Sequence, residues 1–384
     1  MKKSVSILIG GDFAPINQAE NIAIGSPENI WGNTLQLFQQ ASLSIINLET
    51  PLTDSFETIN KTGPALKADK RIVNTLKAAK IDLVTLANNH ILDFGEQGLT
   101  DTINVCENNE IDTVGAGVNL KESQKVYYKK VQETTIAVVN FAENEFNSAT
   151  DNSAGSNPMD LIDNIKQIRT AKNNADFVIV IVHGGHEYHK YPSPRMQKQY
   201  RFYAEEGANV VIGHHTHCVS GYEIHNDVPI FYSLGNLFFP WDNKPNFWYE
   251  GYFLSLVLEE KNKIKFDLHF YDQCKGECSI QLVDDNHYDF RKKNINEINE
   301  VIANSKRLLI KWDEFVSRKQ KEYFQYLLIP FNFVRRVVNK LDLIQFFITK
   351  YQKKLLLNLI RCESHQEVLV DVLKKSKKEK RSQS

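Results

Sequence analysis

Short runs of consecutive apolar residues recur along the first two thirds of the chain, each closed by polar or glycine residues and followed by apolar residues at helical spacing. Val5–Ile9 is β-rich and ends at Gly10-Gly11-Asp12. Leu43–Ile46 ends at Asn47-Leu48-Glu49. Ile72, Leu76 and Ala79 have helical spacing, and Leu83–Leu86 then runs into Asn88-Asn89-His90. Leu99, Ile103 and Cys106 predict a helix, with a strand near Thr113. Leu161, Ile165 and Ile168 predict another, and Phe177–Val182 is a continuous apolar strand ending at His183. Val210–Ile212 ends at Gly213-His214-His215. Alternating strands and helices predict an α/β layered fold. Continuously apolar strands are those buried on both faces.

From Pro229 the texture changes. Ile230–Tyr232, Tyr252–Leu258 and Ile264–Tyr271 read as successive strands without helices between them, the antiparallel finish of a sheet. After about residue 292 the pattern is helical and locally basic. Val334, Val337, Val338, Leu341, Ile344, Phe347 and Ile348 form an apolar stripe punctuated by Arg335, Arg336 and Lys340. The expected division is a site-bearing domain over 1–275 and a basic amphipathic helical extension over 292–384, its last ten residues frayed. The extension reads as helices packed on the sheet domain, with peripheral contact at a membrane surface as the alternative.

Charge narrows the classes of partner. Lys and Arg total 46 against 47 Asp and Glu, so whole-protein affinity for nucleic acid is not expected. The 5 cysteines are odd in number and scattered, which gives no sign of a disulfide framework. Cys274 and Cys278 are followed by no second pair at zinc spacing. The apolar run after Lys2-Lys3 is too short for a signal peptide, and no stretch is long enough to span a bilayer, so the expected location is cytoplasmic.

The chemistry lies at the strand ends. Five apolar runs each end in a potential metal ligand: Asp12, Glu49, Asn89 with His90, His183, and His215 with His217. In open α/β sheets, sites form beyond the carboxyl ends of strands. Carboxylate, amide oxygen and imidazole together suit Mn²⁺, Fe²⁺ or Zn²⁺. A carboxylate between two ions, here Glu49, could bridge them, and two ions together serve phosphoryl displacement. Each residue also has a plainer reading. Asp12 could start a turn, Glu49 could be a solvated strand end, and Asn88 is read as a turn residue. Spacing to His217 favours His215 over His214 as ligand. His186 and His189 rank below His183 because Gly184-Gly185 breaks helical register. Arg195, Lys198 and Arg201, on a helix after Pro194, read as a solvated face.

These residues resemble the calcineurin-like metallophosphoesterases, and in particular the CapA family of poly-γ-glutamate capsule proteins. The resemblance covers roughly residues 5–240 and rests on Gly11-Asp12, Asn47-Leu48-Glu49, Ala87-Asn88-Asn89-His90 with Asp93 and Gly95, His183 with Gly185, Glu187 and Tyr188, Gly213-His214-His215-Thr216-His217, and Tyr232-Ser233-Leu234-Gly235-Asn236. It implies a metallophosphatase-like four-layer αββα sandwich carrying the helical C-terminal extension. It implies two divalent ions, with Asp12 and His217 on one, Asn89, His183 and His215 on the other, and Glu49 bridging. His90 would be general acid, and Glu187 would bind substrate or orient His183. Ala14 stands where phosphoesterases carry a His, and Thr216 where CapA proteins commonly have Pro. The implied function is capsule or related surface-polymer biosynthesis by a metal-dependent hydrolase acting on a phosphoester, with an anionic polymer as the other substrate class. The alternative is a non-catalytic polymer-binding or assembly scaffold with a degraded metal site.

Overall fold

A strand that is apolar at every position can bury both faces only between two other layers. The computed structural model, which describes residues 5–258, 264–327 and 349–378, supplies those layers. The first sheet holds β1 (Val5–Phe13), β2 (Leu43–Leu48), β3 (Leu83–Thr85) and β4 (Asp112–Val114), all parallel. After β4, the two-residue strand β5 (Ala116–Gly117) pairs with β8 (Gly155–Ser156), apart from both sheets. The second sheet starts with the hairpin of β6 (Tyr127–Val131) and β7 (Thr134–Ala142). β9 (Phe177–His183) runs parallel to β7, and β10 (Val210–His214) parallel to β9. β11 (Tyr222–His225) and β12 (Val228–Phe231) complete it.

The chain then returns to the first sheet. β13 (Asn236–Phe238) pairs with the end of β1. β14 (Glu250–Leu258), β15 (Ile264–Gln273) and β16 (Ile280–Leu282) extend the other side of β1, all antiparallel. The strands expected after Pro229 therefore do not finish a single sheet. β12 lies parallel to β10 in the second sheet, while β14 and β15 belong to the first.

Alternate side chains of each strand serve different layers. Ile7, Ile9 and Ile45 face Val138, Ile179 and Ile212 in the core between the sheets. Leu8, Ile46 and Val84 face outward onto helices α1 (Gln18–Gly25), α2 (Leu35–Gln40), α3 (Val73–Ala78) and α4 (Gly95–Glu107). A short α5 (Leu120–Ser123) follows β5. Val139, Val178 and Val180 of the second sheet pack on α6 (Leu161–Asn174) and α7 (Pro194–Glu205). This is the four-layer αββα sandwich.

α8 (Asp285–Ile302) and α9 (Ser305–Leu327) follow the last strand, and helix begins earlier than residue 292. α10 (Lys350–Arg361) and α11 (Glu363–Lys378) close the described chain. Trp312, Val316 and Tyr323 of α9 bury against Leu359, Val368 and Val372. α11 runs to Lys378, so part of the tail expected to fray is helical. The stripe from Val334 to Ile348 lies outside the described residues. No helix among the described residues is long and apolar enough to cross a membrane.

One glycine fixes the sheet around the site. A Cβ on Gly11 would lie 1.9 Å from the carbonyl oxygen of Gly235, so β1 and the turn before β13 approach closer than any side chain permits. That approach sets Asp12 opposite Asn236. Gly11→Ala is expected to destabilise the fold by about 1–3 kcal/mol, the usual cost of overpacking, or by more because the obstacle is backbone. Urea unfolding reads it, and an unchanged midpoint would refute the close approach.

Candidate metal centre

The five strand ends converge at one edge of the facing sheets. Asp12 closes β1, Glu49 follows β2, Asn89 and His90 follow β3, His183 closes β9, and His215 and His217 follow β10. All seven are buried. His183 Nε2 lies 3.1 Å from Asn89 Oδ1, 3.2 Å from His215 Nδ1 and 3.4 Å from Glu49 Oε1. His217 Nε2 lies 3.8 Å from the same Glu49 oxygen. Ligands about 2.0–2.2 Å from one ion stand roughly 3–4 Å from each other, so these spacings suit coordination. Donor atoms of Glu49, His215 and His217 fall within 4.8 Å of one another, as do those of Asp12, Glu49 and His183. Glu49 is common to both groups.

The other side chains hold these donors in place. Asn47 Nδ2 donates to Asp12 Oδ1 at 2.7 Å, and the His215 N–H donates to Asp12 Oδ2 at 3.0 Å. Asn88 is spent on structure: its Nδ2 donates to the Leu48 carbonyl at 2.8 Å. His217 Nδ1 lies 2.9 Å from Asn236 Oδ1, and Asn236 Nδ2 donates to the Trp248 carbonyl. That chain places the His217 proton on Nδ1 and leaves Nε2 free as a ligand, the usual outer support of a metal-binding imidazole. It also takes from Asp12 the His217 nitrogen, Nδ1, that lies 3.7 Å from its carboxylate. His215 and His217 both adopt left-handed backbone, φ 86° and 53°. Such residues persist where the surroundings over-determine them, commonly at functional sites.

Electrostatics supply the fit test. Both Glu49 carboxylate oxygens are buried without a hydrogen-bond partner among the described residues. Burial first, then the nearby Asp12 and Glu187 carboxylates, push the Glu49 carboxyl well above the ordinary range. An unpartnered buried carboxylate is costly, and a cation is the group that removes the cost. Burial, followed by the neighbouring imidazoles of His215, His214 and His217, holds His183 well below its ordinary value. Burial likewise lowers His217 to about 3. Neutral imidazoles are the form that ligates metal. The donor set therefore fits divalent metal.

Other candidates fall elsewhere. His214 is buried with neither ring nitrogen in a hydrogen bond among the described residues, its Nδ1 3.6 Å from Asp12. Glu187 is exposed on the pocket above the centre, and the His183 nitrogens lie against Asn47, Asn89 and His215 instead. Ala14 sits in an apolar cluster with Phe239 and Trp248, whose rings back His217. Arg195 is not on a solvated face: it is paired with Glu143 at 2.8 Å and Glu367 at 3.1 Å. Arg201 is paired with Glu223. Cys274 and Cys278 have their sulfurs 3.7 Å apart.

Three neighbours of the centre escaped the strand-end reading. Lys61 donates to Asp93 Oδ1 at 2.5 Å, and Asp93 Oδ2 lies 2.6 Å from His90 Nδ1. Lys244 sits 4.4 Å above the Trp248 ring, and Glu143 follows β7. Lys61 and Lys244 lie in loops, where no periodicity marks them. β7 shows in the sequence as the apolar run Ile136–Val139 resumed at Phe141-Ala142 after Asn140, the signal that would have found Glu143.

His186 and His189 face α9 rather than the ligand cluster. The His189 ring stacks on Phe315 at 4.3 Å. Burial first, then Arg318 and Lys190, lower His189 to about 3. The unfolded imidazole takes its proton near pH 6.5 and the folded one does not, so its contribution is complete above that pH and is lost as pH falls toward 3. At about pH 5 the loss from this group is roughly 2 kcal/mol. His189→Phe is expected to remove that part of the acid sensitivity. Unfolding of both chains in chelator at neutral and acid pH measures it, and parallel pH curves would count against it.

Residues 6–240 match the family profile described as bacterial capsule synthesis protein PGA_cap. The PGA biosynthesis protein CapA of Bacillus subtilis is 34% identical over 208 residues, 53% of this chain and 54% of that protein. The capsule biosynthesis protein CapA of Bacillus anthracis is 36% identical over 180 residues, 45% of this chain and 44% of that protein. The chain thus spans about half the length of the curated relatives it matches. Among solved structures, a phosphatase from Mycoplasma pneumoniae superposes with a TM-score of 0.46 at 14% identity, covering 75% of this chain and 98% of that one.

Proposed function

The chain belongs to the bacterial capsule synthesis protein family PGA_cap, and from that premise we propose that it is a divalent-metal-dependent hydrolase of a phosphoester in the biosynthesis of poly-γ-glutamate or a related anionic surface polymer. The observation that carries the reading is Glu49: both its carboxylate oxygens are buried without a hydrogen-bond partner among the described residues, and Oε1 faces His183 and His217 alike. In this reading Asp12, Glu49, Asn89, His183, His215 and His217 would hold two ions of Mn, Fe or Zn, and Glu49, common to both groups of potential ligands, would serve both. Such ions, when bound, polarise a phosphoryl oxygen and lower the pKa of water.

The remaining steps belong to the protein. His90 lines the pocket, and Asp93 holds its Nδ1, leaving Nε2 to pass a proton to the leaving oxygen. Burial and Lys61 depress the His90 pKa, while Asp93 opposes them. Lys61 and Lys244 line the same pocket and offer positive charge to an anionic substrate. Trp248 and Phe239 shield His217 from water on its other face.

A second reading is a binding or assembly scaffold, favoured by the apolar cluster at Ala14 where a further ligand would stand. Metal content by plasma mass spectrometry separates the two, with wild type measured beside a His183→Ala, His215→Ala chain. Two equivalents lost in the variant, followed by turnover in a phosphoester screen, support the hydrolase. Failure to bind added metal would leave the scaffold.

A further inference from the structure

The pocket over the metal centre has two walls of different origin. One is the ligand-bearing loops, with Asn89, His90, His215 and His217. The other is built from α9, α10 and α11, which lie beyond the family match ending at residue 240. Lys319 and Tyr323 of α9, Asn358 of α10, and Ser364 and His365 of α11 line it. The cavity between them is about 390 Å³, the size for a small molecule or the end of a chain.

This second wall is tied to the sandwich. Arg195 bridges Glu143 and Glu367. Glu143 also accepts from the Ser364 hydroxyl at 2.5 Å, and the Ser364 carbonyl lies 3.1 Å from His186 Nε2. Glu363 accepts from the Asn144 amide at 2.6 Å. Burial lowers the Arg195 pKa, but Glu143 and Glu367 together more than offset it and raise it above its ordinary value. A wall anchored at so many points holds its side chains in fixed positions relative to the ligand loops.

The wall presents polar groups to the pocket. The Tyr323 hydroxyl lies 2.7 Å from His365 Nδ1, which fixes that ring and turns its Nε2 to other partners. Lys319 is half-buried beside them. Asn358 is 4% exposed, and its Oδ1 has no hydrogen-bond partner among the described residues. A buried amide without its partner is costly, and a polar group entering the pocket would supply one. Across the cavity stand Lys61 and Lys244.

The geometry points to α9–α11 as the substrate-selecting wall: Lys319, with Asn358 and His365, binds a second anionic group of the ligand, a carboxylate or phosphate, while the reacting group lies at the Asp12–Glu49–histidine centre. The inference rests on the metal-dependent reading of that centre. It places specificity in a segment outside the family match, so members with different C-terminal segments would select different ligands at a shared centre. Charged groups hydrogen-bonded in a partly buried pocket are the strong ones, which makes Lys319 the dominant contact.

The test is calorimetric titration of the manganese-loaded full chain with inorganic phosphate, ethyl phosphate, phosphoglycolate, pyrophosphate and glutarate. Wild type is expected to bind phosphoglycolate or pyrophosphate about tenfold tighter than ethyl phosphate, the gain of one charge-assisted hydrogen bond. Preference for phosphoglycolate identifies a carboxylate as the second group, and preference for pyrophosphate a phosphate. Lys319→Gln is expected to erase the preference while inorganic phosphate still binds. Lys306→Ala, an exposed position on the same helix, should keep it. A preference that survives both Lys319→Gln and Asn358→Ala overturns the wall and leaves the metal reading standing. Glutarate binding that depends on Lys319, with no phosphate binding in wild type, overturns the phosphoester reading and keeps the wall. Absence of binding by every probe overturns both.

Discussion

Chelator-treated wild-type chain is expected to gain stability on addition of manganese or zinc, and Glu49→Gln chain is not. Binding to the folded state alone stabilises by about 4 kcal/mol when free metal is a thousandfold above its dissociation constant. Glu49 is common to both groups of potential ligands, so its loss weakens both positions. Without metal the sign reverses. The Glu49 carboxyl is held well above its ordinary value by burial and by Asp12. A carboxyl raised in the folded state contributes stability that is present below the unfolded pKa and lost as pH rises through the folded one. At neutral pH the metal-free wild type therefore carries a penalty that glutamine lacks. Metal-free Glu49→Gln should unfold at the same temperature as wild type or higher, while losing the metal response. Thermal unfolding with and without metal measures both, and an equal metal-induced rise in the two chains would sink the bridging assignment.

His90→Asn is expected to lower turnover of a phosphoester substrate by about 10²–10⁴-fold, the contribution of a positioned general acid. Metal content should not change, because the polar contacts of the His90 ring are Asp93 and Lys61 rather than the ligand cluster. The two measurements together separate proton transfer from metal binding. Asp93→Asn should give a smaller loss in the same direction, since it removes the group that orients the ring and supports its charged form. Full activity in His90→Asn would remove the general acid from the mechanism. Metal lost along with activity would place His90 among the ligands.

The strand ends were legible because burial on both faces leaves a plain mark, a continuous apolar run closed by a polar residue. Phe177–His183 and Val210–His214 were read to within two residues on that basis. The strands after Pro229 carried the same mark, but which sheet each joined was not in their pattern. Val228–Phe231 and Glu250–Leu258 look alike locally and sit in different sheets. The loop lysines, Lys61 and Lys244, gave no signal, since their importance comes only from what they face.

The sequence by itself marked which residues could ligate and that each would stand at the carboxyl end of a strand, because strand period and an uninterrupted apolar run are local properties. The tertiary structure decided how they combine: Glu49 beside His183 and His217, Asn236 holding the His217 proton, and Asn88 spent on backbone. It also decided that α9–α11 close the pocket. The contact of Glu143 with Ser364 joins residues 221 apart in the chain. Such a contact depends on strand order and helix docking, which no local periodicity encodes.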